Sequence, residues 1–189
     1  MRIISGIFKG KKINLPKDIK TRPLKDLTKE SIFNIIKHTN KFSIQIEDSE
    51  VLDLFSGTGS FGIECLSRGA KYVTFVENYE VVLPILKKNL QSLKSINNFN
   101  IVEKDILNHF NFKNLNIKFD IIFLDPPYKQ NEMKYLIELL ISEKILKKSG
   151  IVIIHRHKKH KDNFPKNFKI FENKIYEKFR ILFGTFVEA

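Results

Sequence analysis

The tetrapeptide Asp125-Pro126-Pro127-Tyr128 combines the residue types best suited to chemistry in this chain. It follows the apolar run 119–124, which predicts a buried strand of a parallel sheet. Neither proline has an N–H to donate and both fix φ, so the carbonyl groups of this loop stand in a stiff geometry. Because open α/β sheets bind their ligands at the carboxyl ends of the strands, residues 125–128 are candidate catalytic residues.

A loop of this composition can activate an exocyclic amine of a nucleobase. The lone pair of such an amine is delocalised into the ring, so the nitrogen is a poor nucleophile until both N–H groups are held. The Asp125 carboxylate can accept one N–H and the Pro126 carbonyl the other, while Tyr128 offers a stacking face worth roughly 1–3 kcal/mol per base. The amine could then attack an electrophilic methyl group in line. The alternative is a proline turn that only closes the strand.

A strand, a glycine-rich turn and a helix precede this loop in the chain. Residues 51–55 predict the strand, and Gly57, Gly59 and Gly62 match the spacing Gly-x-Gly-x-x-Gly. Such glycines let the backbone approach a nucleoside and let the helix pack closely on the strand. Asp53 lies within the strand, where its charge would repel a phosphate but would suit a ligand with an ammonium and a sulfonium group. The alternative is a turn with only a packing role.

Two more acidic residues follow predicted strands. Glu77 ends the second strand, about twenty residues beyond the glycine turn, at the position of the ribose-hydroxyl partner in nucleoside-binding sheets. Asp105 follows the third strand and could accept a hydrogen bond from an adenine amino group while Ile106 packs on the ring. The alternative is that Asp105 only caps a short helix at 106–110.

The remaining pattern predicts one α/β domain. A basic hairpin occupies residues 2–15, and helix 24–38 follows with Leu27, Ile32, Ile35 and Ile36 on its apolar face and Lys25, Lys29 and Lys37 off it. The other predicted elements are a helix ending near Arg68, strand 72–76, helix 80–93, strand 100–103, helix 131–143, strand 150–154 and an antiparallel hairpin within 168–187.

The histidines and the cysteine indicate no metal site. His155, His157 and His160 are expected in one solvated loop after strand 150–154, without an acidic or cysteine partner, so a basic charge is favoured over zinc. Cys65 is expected in the core of a helix, which argues against cytosine-C5 chemistry because that reaction needs a thiolate at the base.

The net charge of +12 is unevenly distributed. Residues 1–25 contain eight Lys/Arg and one acid, and residues 144–180 contain twelve and three. This segregation favours binding to a polyanion, whereas AT-biased codon usage alone would spread lysine evenly. A single cysteine and the lack of a long apolar stretch predict a cytoplasmic protein that does not enter the membrane.

With these residues assembled, the chain resembles the bacterial 16S ribosomal RNA guanine-N2 methyltransferases of the RsmD type. The resemblance covers nearly the whole length, and the combination of the N-terminal motifs with the two cofactor-type motifs is its most specific part. The matching segments are Arg2-Ile3-Ile4-Ser5-Gly6 with Gly10-Lys11, Thr21-Arg22-Pro23, Lys29-Glu30-Ser31-Ile32-Phe33-Asn34, Asp53-Leu54-Phe55-Ser56-Gly57-Thr58-Gly59, Gly62-Ile63-Glu64, Leu66-Ser67-Arg68-Gly69-Ala70 and Asp125-Pro126-Pro127-Tyr128.

The resemblance implies a Rossmann-like class I fold that uses S-adenosylmethionine, with a mostly parallel seven-stranded sheet. It implies one methylation of a guanine N2 in 16S ribosomal RNA, within the small subunit or its assembly intermediate. Since nothing in the sequence demands a dimer, a monomer is expected. Residues 1–23 would form a basic hairpin extension and residues 24–189 the catalytic core. The expected cofactor-binding residues are Asp53, Phe55, Gly57, Thr58, Gly59, Glu77, Asp105 and Ile106. The expected RNA-binding residues are Arg2, Lys9, Lys11, Lys12, Thr21, Arg22 and Asn34, of which the last three could instead be ordinary surface and cap residues.

Two departures from the family pattern lie at the substrate-facing end. The family tends to have an acid just after strand 150–154, where this chain has Ile154-His155, and Tyr-Gly near the last hairpin, where this chain has Tyr176-Glu177. Two other functions share the same motifs. A DNA adenine-N6 methyltransferase generally needs a target-recognition region, for which this chain has no spare length. A non-catalytic RNA-binding assembly factor would have no use for an amine-polarising carboxylate beside a cofactor site.

Overall fold

The computed structural model describes residues 1–17, 24–94, 96–108, 110–127 and 130–187. Thr21, Arg22 and Tyr128, which the sequence nominated for RNA binding and catalysis, lie outside these ranges. The helices are α1 (Asp26–His38), α2 (Ser60–Ser67), α3 (Leu83–Gln91) and α4 (Gln130–Ser142), with a 3-10 turn at Phe112–Leu115. The strands are β1 (Glu50–Leu54), β2 (Tyr72–Val76), β3 (Phe99–Val102), β4 (Phe119–Leu124), β5 (Leu146–His157), β6 (Phe168–Ile175) and β7 (Phe179–Phe186).

These seven strands form one sheet in the order β3-β2-β1-β4-β5-β7-β6. Neighbours from β3 through β5 are parallel, while β7 runs antiparallel to both β5 and β6. The predicted, mostly parallel seven-stranded sheet and its terminal hairpin are confirmed. The chain winds outward from β1 in one direction and from β4 in the other, so these two strands meet where the winding reverses. Such a switch point is where doubly wound sheets bind ligands.

The central strands of the sheet are buried on both faces, as their apolar residues require. One core cluster joins the sheet to α1, α2, α3 and the N-terminal segment, and the other joins it to α4 and the 3-10 turn. Cys65 is buried in the first cluster, as predicted. No helix within the described ranges combines the length and the apolarity needed to cross a lipid bilayer.

The predicted N-terminal hairpin is present and packs on the core. Arg2 and Lys12 form an antiparallel bridge, and Ile3 and Ile13 are buried in the core cluster. Its connection rests on the end of α2, because the N–H of Ile7 donates to the carbonyl of Ser67 over 2.8 Å. This contact passes close to Gly6, which has φ +82° and would place an added Cβ 1.7 Å from the Ser67 oxygen. A glycine is therefore required where the hairpin meets α2.

The predicted faces of α1 were partly wrong. Leu27 is 78% exposed, whereas Lys29 is fully buried. The Lys29 ammonium is buried because it has specific partners: it donates to the carbonyl of Arg2 over 2.6 Å and lies 3.4 Å from an Asp26 carboxylate oxygen. Burial lowers the pKa of Lys29, against the opposing effect of nearby Glu64 and Asp26. Lys29 thus links α1 to the hairpin instead of facing solvent.

Two other predicted boundaries were wrong. Strand β5 continues past Ile154 to His157 because β7 pairs with it along Val152–His157, so the expected solvated loop begins later. The short helix expected at 106–110 is absent from the described residues there, which form a turn. The Asp105 carboxylate stabilises that turn by accepting the N–H of Leu107 over 2.9 Å. Asp105 therefore stabilises a local turn and does not cap the helix that the sequence left open as its alternative role.

Candidate functional site

A cavity of about 310 Å³ opens at the carboxyl ends of the central strands, at the switch point between β1 and β4. Its wall combines residues of the glycine turn, the end of β2 and the loop after β4. The lining residues are Leu24, Asp53, Phe55, Ser56, Gly57, Thr58, Ser60, Phe61, Glu77, Asn78, Tyr79, Val82, Phe123, Asp125 and Pro127.

The glycine turn brings α2 close to the neighbouring strand. A Cβ built on Gly62 would lie 2.3 Å from the ring of Phe75 on β2, so only glycine allows this packing distance. Gly59 adopts φ +82° at the start of α2. The packing role predicted for the glycines is therefore present, and it places Gly57 and Thr58 in the cavity wall.

Glu77 joins the end of β2 to the glycine turn. Its Oε2 accepts the N–H of Gly57 over 2.7 Å, and its Oε1 accepts the N–H groups of Asn78 and Tyr79 over 2.9 Å each. These bonds fix the carboxylate plane at the cavity wall. Since each carboxylate oxygen has two acceptor sites, both sites of Oε1 are used and one site of Oε2 remains for a hydroxyl group of a ligand.

Asp53 is a buried acid at the cavity wall. Only 1% of its surface is exposed, and its Oδ2 accepts the N–H of Gly62 over 2.9 Å. Burial, together with the negative charges of Asp125 and Glu77, raises the pKa of Asp53 to about 8, while the Gly62 bond opposes the shift. A cationic group entering the cavity would favour the ionised form of this acid.

Asp125 and Asp53 share the cavity because of the pairing of their strands. Asp53 lies opposite Phe123 in the parallel β1–β4 ladder, and Asp125 is two residues beyond Phe123 on the same strand path. Alternate residues point to the same side of a strand. Pro127 also lines the cavity, whereas Pro126 is buried and is not one of the lining residues.

The prediction that His155 lies in a solvated loop without an acidic partner was wrong. His155 belongs to β5, and its Nδ1 lies 2.9 Å from Oδ1 of Asp125. The ladder explains the contact, since Leu124 pairs with Ile154 and the next residues on the two strands are Asp125 and His155. Among the described residues no group of three His, Cys, Asp or Glu side chains is arranged to hold a metal ion.

The next residue, Arg156, is also not part of a solvated basic run. It is 3% exposed, and its guanidinium donates to the Asp162 carboxylate over 2.8 and 3.2 Å. Arg180 on β7 donates to the same carboxylate over 2.8 Å. Two of the basic residues that the sequence assigned to a polyanion surface are therefore paired inside the protein.

Other nominated residues lie apart from the cavity. Asp105 and Ile106 do not line it, and Ile106 is buried in the core cluster beside α4. Their role in cofactor binding stays a prediction. Arg2, Lys9, Lys12 and Asn34 are exposed, while Lys11 is half-buried and donates to the carbonyl of Ser92 after α3.

Sequence reasoning missed several lining residues. Asn78 and Tyr79 directly follow Glu77, so their position at the end of β2 was a usable signal. Leu24, Phe61, Val82 and Phe123 gave no such signal, because apolar residues in helices and strands are ordinarily core residues. The structure shows that they provide the apolar part of the cavity wall.

Comparison with known proteins assigns this chain to a family. The model of a family described as conserved hypothetical protein 95 matches residues 1–185. A protein named ribosomal RNA small subunit methyltransferase D from Buchnera aphidicola is 37% identical, over 92% of this chain and 86% of its own length. A protein of the same name from Haemophilus influenzae is 35% identical, over 92% and 88% respectively. The family resemblance found in the sequence is thereby confirmed.

Solved structures show the same fold. A putative methyltransferase from Escherichia coli superposes with a TM-score of 0.81 at 25% identity, covering 100% of this chain and 99% of that one. A putative methylase from Haemophilus influenzae gives a TM-score of 0.76 at 30% identity, with the same coverage. The architecture is thus the class I methyltransferase fold expected from the sequence.

Proposed function

Because the chain belongs to the conserved hypothetical protein 95 family, the RsmD family, we propose that it methylates the exocyclic N2 amine of a guanine in 16S ribosomal RNA, using S-adenosylmethionine. The observation that supports this most directly is the placement of Asp53 and Asp125 in the wall of one cavity. One acid suits a cationic cofactor and the other suits an amine. The two reactants of a methyl transfer would therefore meet at the switch point of the sheet.

The residues of the cavity fit the cofactor. S-adenosylmethionine would supply an electrophilic methyl group on a sulfonium centre. Asp53 is buried beside the cavity and would pair, once ionised, with a positive group of the cofactor. Oε2 of Glu77 keeps one acceptor site for a ribose hydroxyl, and the turn around Gly57 lets the backbone approach the nucleoside. Asp105 and Ile106 would act at the adenine end.

The loop after β4 would hold the amine of the target guanine. The Asp125 carboxylate accepts one N–H and the Pro126 carbonyl accepts the other, which favours a more tetrahedral nitrogen with its lone pair free. Tyr128 would stack on the base. S-adenosylmethionine would supply the methyl group and leave as a neutral thioether, and the proton that the methylated amine loses would pass to solvent. The loop thus works by positioning and electrostatics.

The basic hairpin would bind the RNA backbone. Arg2, Lys9 and Lys12 are exposed on a segment that packs on the core beside α2. Thr21, Arg22 and Asn34 would extend this contact, and Lys11 would do so from its half-buried position. We assign residues 1–23 to RNA binding and residues 24–189 to catalysis. The enzyme would act as a monomer in the cytoplasm, on the small subunit or its assembly intermediate.

Methyl transfer from labelled S-adenosylmethionine to four substrates tests the proposal: small ribosomal subunits, an assembly intermediate, naked 16S RNA and duplex DNA. Digestion to nucleosides then identifies the labelled base. We expect label in N2-methylguanosine from a ribosomal substrate only. Label in N6-methyladenine from DNA would indicate the DNA enzyme, and the lack of label on every substrate would indicate a non-catalytic binding factor.

A further inference from the structure

We propose that the carboxyl end of β5 positions both hydrogen-bond acceptors of the target amine, through two successive side chains. His155 orients the carboxylate of Asp125, and Arg156 orients the carbonyl of Pro126. Both are positioning residues, since each acts through the acceptor that it contacts. This inference rests on the proposed function, and it assigns a role to the point at which this chain departs from the family pattern.

His155 constrains the carboxylate of Asp125. Its Nδ1 lies 2.9 Å from Oδ1, and both side chains are mostly shielded, with 20% and 26% of their surfaces exposed. With Nδ1 protonated, His155 donates to Oδ1 and fixes the plane of the carboxylate. The other oxygen, Oδ2, then remains to accept from the amine. A hydrogen bond to a charged acceptor is stronger than a neutral one, so this contact restricts rotation of Asp125 effectively.

The imidazole of His155 is itself held in place. The ring of Phe179, on the antiparallel neighbour β7, lies 5.2 Å from the His155 ring. Tyr176 in turn stacks on Phe179, and the centroids of these two rings are 4.5 Å apart. The family-atypical His155 is thus connected through Phe179 to Tyr176, the residue directly before the other departure, Glu177. Packing of the rings limits the orientations from which Nδ1 can donate.

Arg156 constrains the second acceptor. Its Nη1 donates to the carbonyl oxygen of Pro126 over 3.3 Å, in a buried setting. A carbonyl oxygen has two lone pairs, so Pro126 can accept from Arg156 and from the amine together. Because successive residues of a strand point to opposite faces, His155 and Arg156 approach the loop from its two sides.

Asp162 keeps Arg156 in place. Its side chain has no exposed surface and accepts from Arg156 and from Arg180, which are direct cross-strand partners. Like charges in such a pair repel each other, so the buried carboxylate is needed between them. The guanidinium of Arg156 is therefore held between β5, β7 and the segment after β5 that contains Asp162. Its contact with Pro126 restricts the movement of the loop after β4.

Steady-state kinetics of four variants test the inference on the ribosomal substrate. His155→Phe keeps an aromatic ring but removes the donor, and we expect kcat to fall about tenfold or more with the KM of both substrates unchanged. His155→Asn retains an N–H near the position of Nδ1 and should recover most of kcat. Arg156→Lys keeps a charge for Asp162 but loses the planar group that reaches Pro126, so kcat should fall here too. His157→Phe, on the same strand, serves as the matched control.

Several outcomes would overturn the inference. Wild-type kcat in His155→Phe would do so, as would a His155→Asn variant as slow as His155→Phe. Melting temperatures of all variants establish that the comparison is made on folded protein. A second measurement needs no RNA: the imidazole ¹⁵N resonances of His155 should shift in Asp125→Asn. An unchanged spectrum would show that His155 and Asp125 do not form a hydrogen bond, which would overturn the inference. If the spectral shift were present but the wild-type enzyme were inactive on every ribosomal substrate, only the proposed function would be contradicted.

Discussion

Oδ2 of Asp53 accepts a hydrogen bond from the N–H of Gly62 over 2.9 Å, which joins the end of β1 to the first turns of α2 across the glycine turn. The same acid lines the cavity. Burial first, and then the charges of Asp125 and Glu77, raise its pKa to about 8. Without a ligand, Asp53 is therefore mostly protonated at neutral pH, and its protonation is linked to both folding and binding.

The first prediction concerns stability. In the unfolded chain the Asp53 carboxyl has its ordinary pKa of 3.8. Between that value and about 8 the folded protein binds more protons than the unfolded chain, so the free energy of unfolding decreases as pH rises through this window. Asp53→Asn keeps an acceptor for Gly62 but does not titrate. Urea denaturation at pH 5, 6.5 and 8 should show the variant gaining stability relative to wild type at each step. A constant difference would contradict the raised pKa.

The second prediction concerns cofactor binding. A positive group beside Asp53 stabilises its ionised form, so binding of S-adenosylmethionine at pH 7 should release a proton. Titration calorimetry in buffers of different ionisation enthalpy measures this release as a buffer-dependent heat. Asp53→Asn should bind more weakly and show a smaller buffer dependence. Identical heats for the wild type in every buffer would show that Asp53 does not change protonation on binding.

The third prediction separates chemistry from binding. Asp125→Ala removes one acceptor of the amine, and we expect methyl transfer to be abolished while the affinities for cofactor and RNA stay nearly unchanged. Asp125→Asn is the matched variant, since it keeps an oxygen acceptor without the charge, and it should retain more activity than the alanine variant. Single-turnover assays with separate binding measurements distinguish the two effects. Substantial activity in Asp125→Ala would contradict the proposed mechanism.

The fourth prediction concerns the attachment of the hairpin. The buried Glu64 carboxylate accepts from the N–H groups of Ile4 and Ser5 over 2.8 and 2.9 Å and from Arg68 over 2.8 Å. Glu64→Ala would leave the buried Lys29, whose Nζ lies 3.9 Å from Oε2 of Glu64, and the half-buried Arg68 without this partner. We expect it to cost about 3–5 kcal/mol in the free energy of unfolding. Glu47→Ala, at an exposed acid, is the control and should change stability by less than about 0.5 kcal/mol. Equal effects of the two changes would show that Glu64 does not hold the hairpin.

Local sequence signals were sufficient for much of the fold. Strands 72–76 and 119–124 were predicted at their observed limits, because short apolar runs bounded by turn residues have few alternative structures. The glycine turn and Asp125 were placed at the cavity for the same reason, since each directly follows such a strand.

Lys29 and Arg156 show why the rest could not be predicted. Each looks like a surface cation in sequence, yet each is buried with a partner that is distant along the chain: the carbonyl of Arg2 for Lys29, and the carbonyl of Pro126 for Arg156. The nearer partner of Arg156, Asp162, is itself held by Arg180 on another strand. His155 was missed with them, since its contact with Asp125 depends on β7 extending β5 beyond Ile154. Burial of a charge depends on the assembled fold, which local patterns do not contain.

The last prediction concerns RNA binding through the hairpin. Lys9 and Lys12 are exposed, and each phosphate contact that they make would release counterions, so the affinity should fall steeply with salt. Replacing both lysines with alanine should make the slope of log K against log salt shallower by about 1.5. Lys134→Ala is the control, because α4 covers the opposite face of the sheet from the hairpin. Filter binding of 16S RNA over a range of potassium chloride measures the slopes. If the double variant kept the wild-type slope, the RNA would contact a different surface, and the basic residues of the hairpin would have no part in binding it.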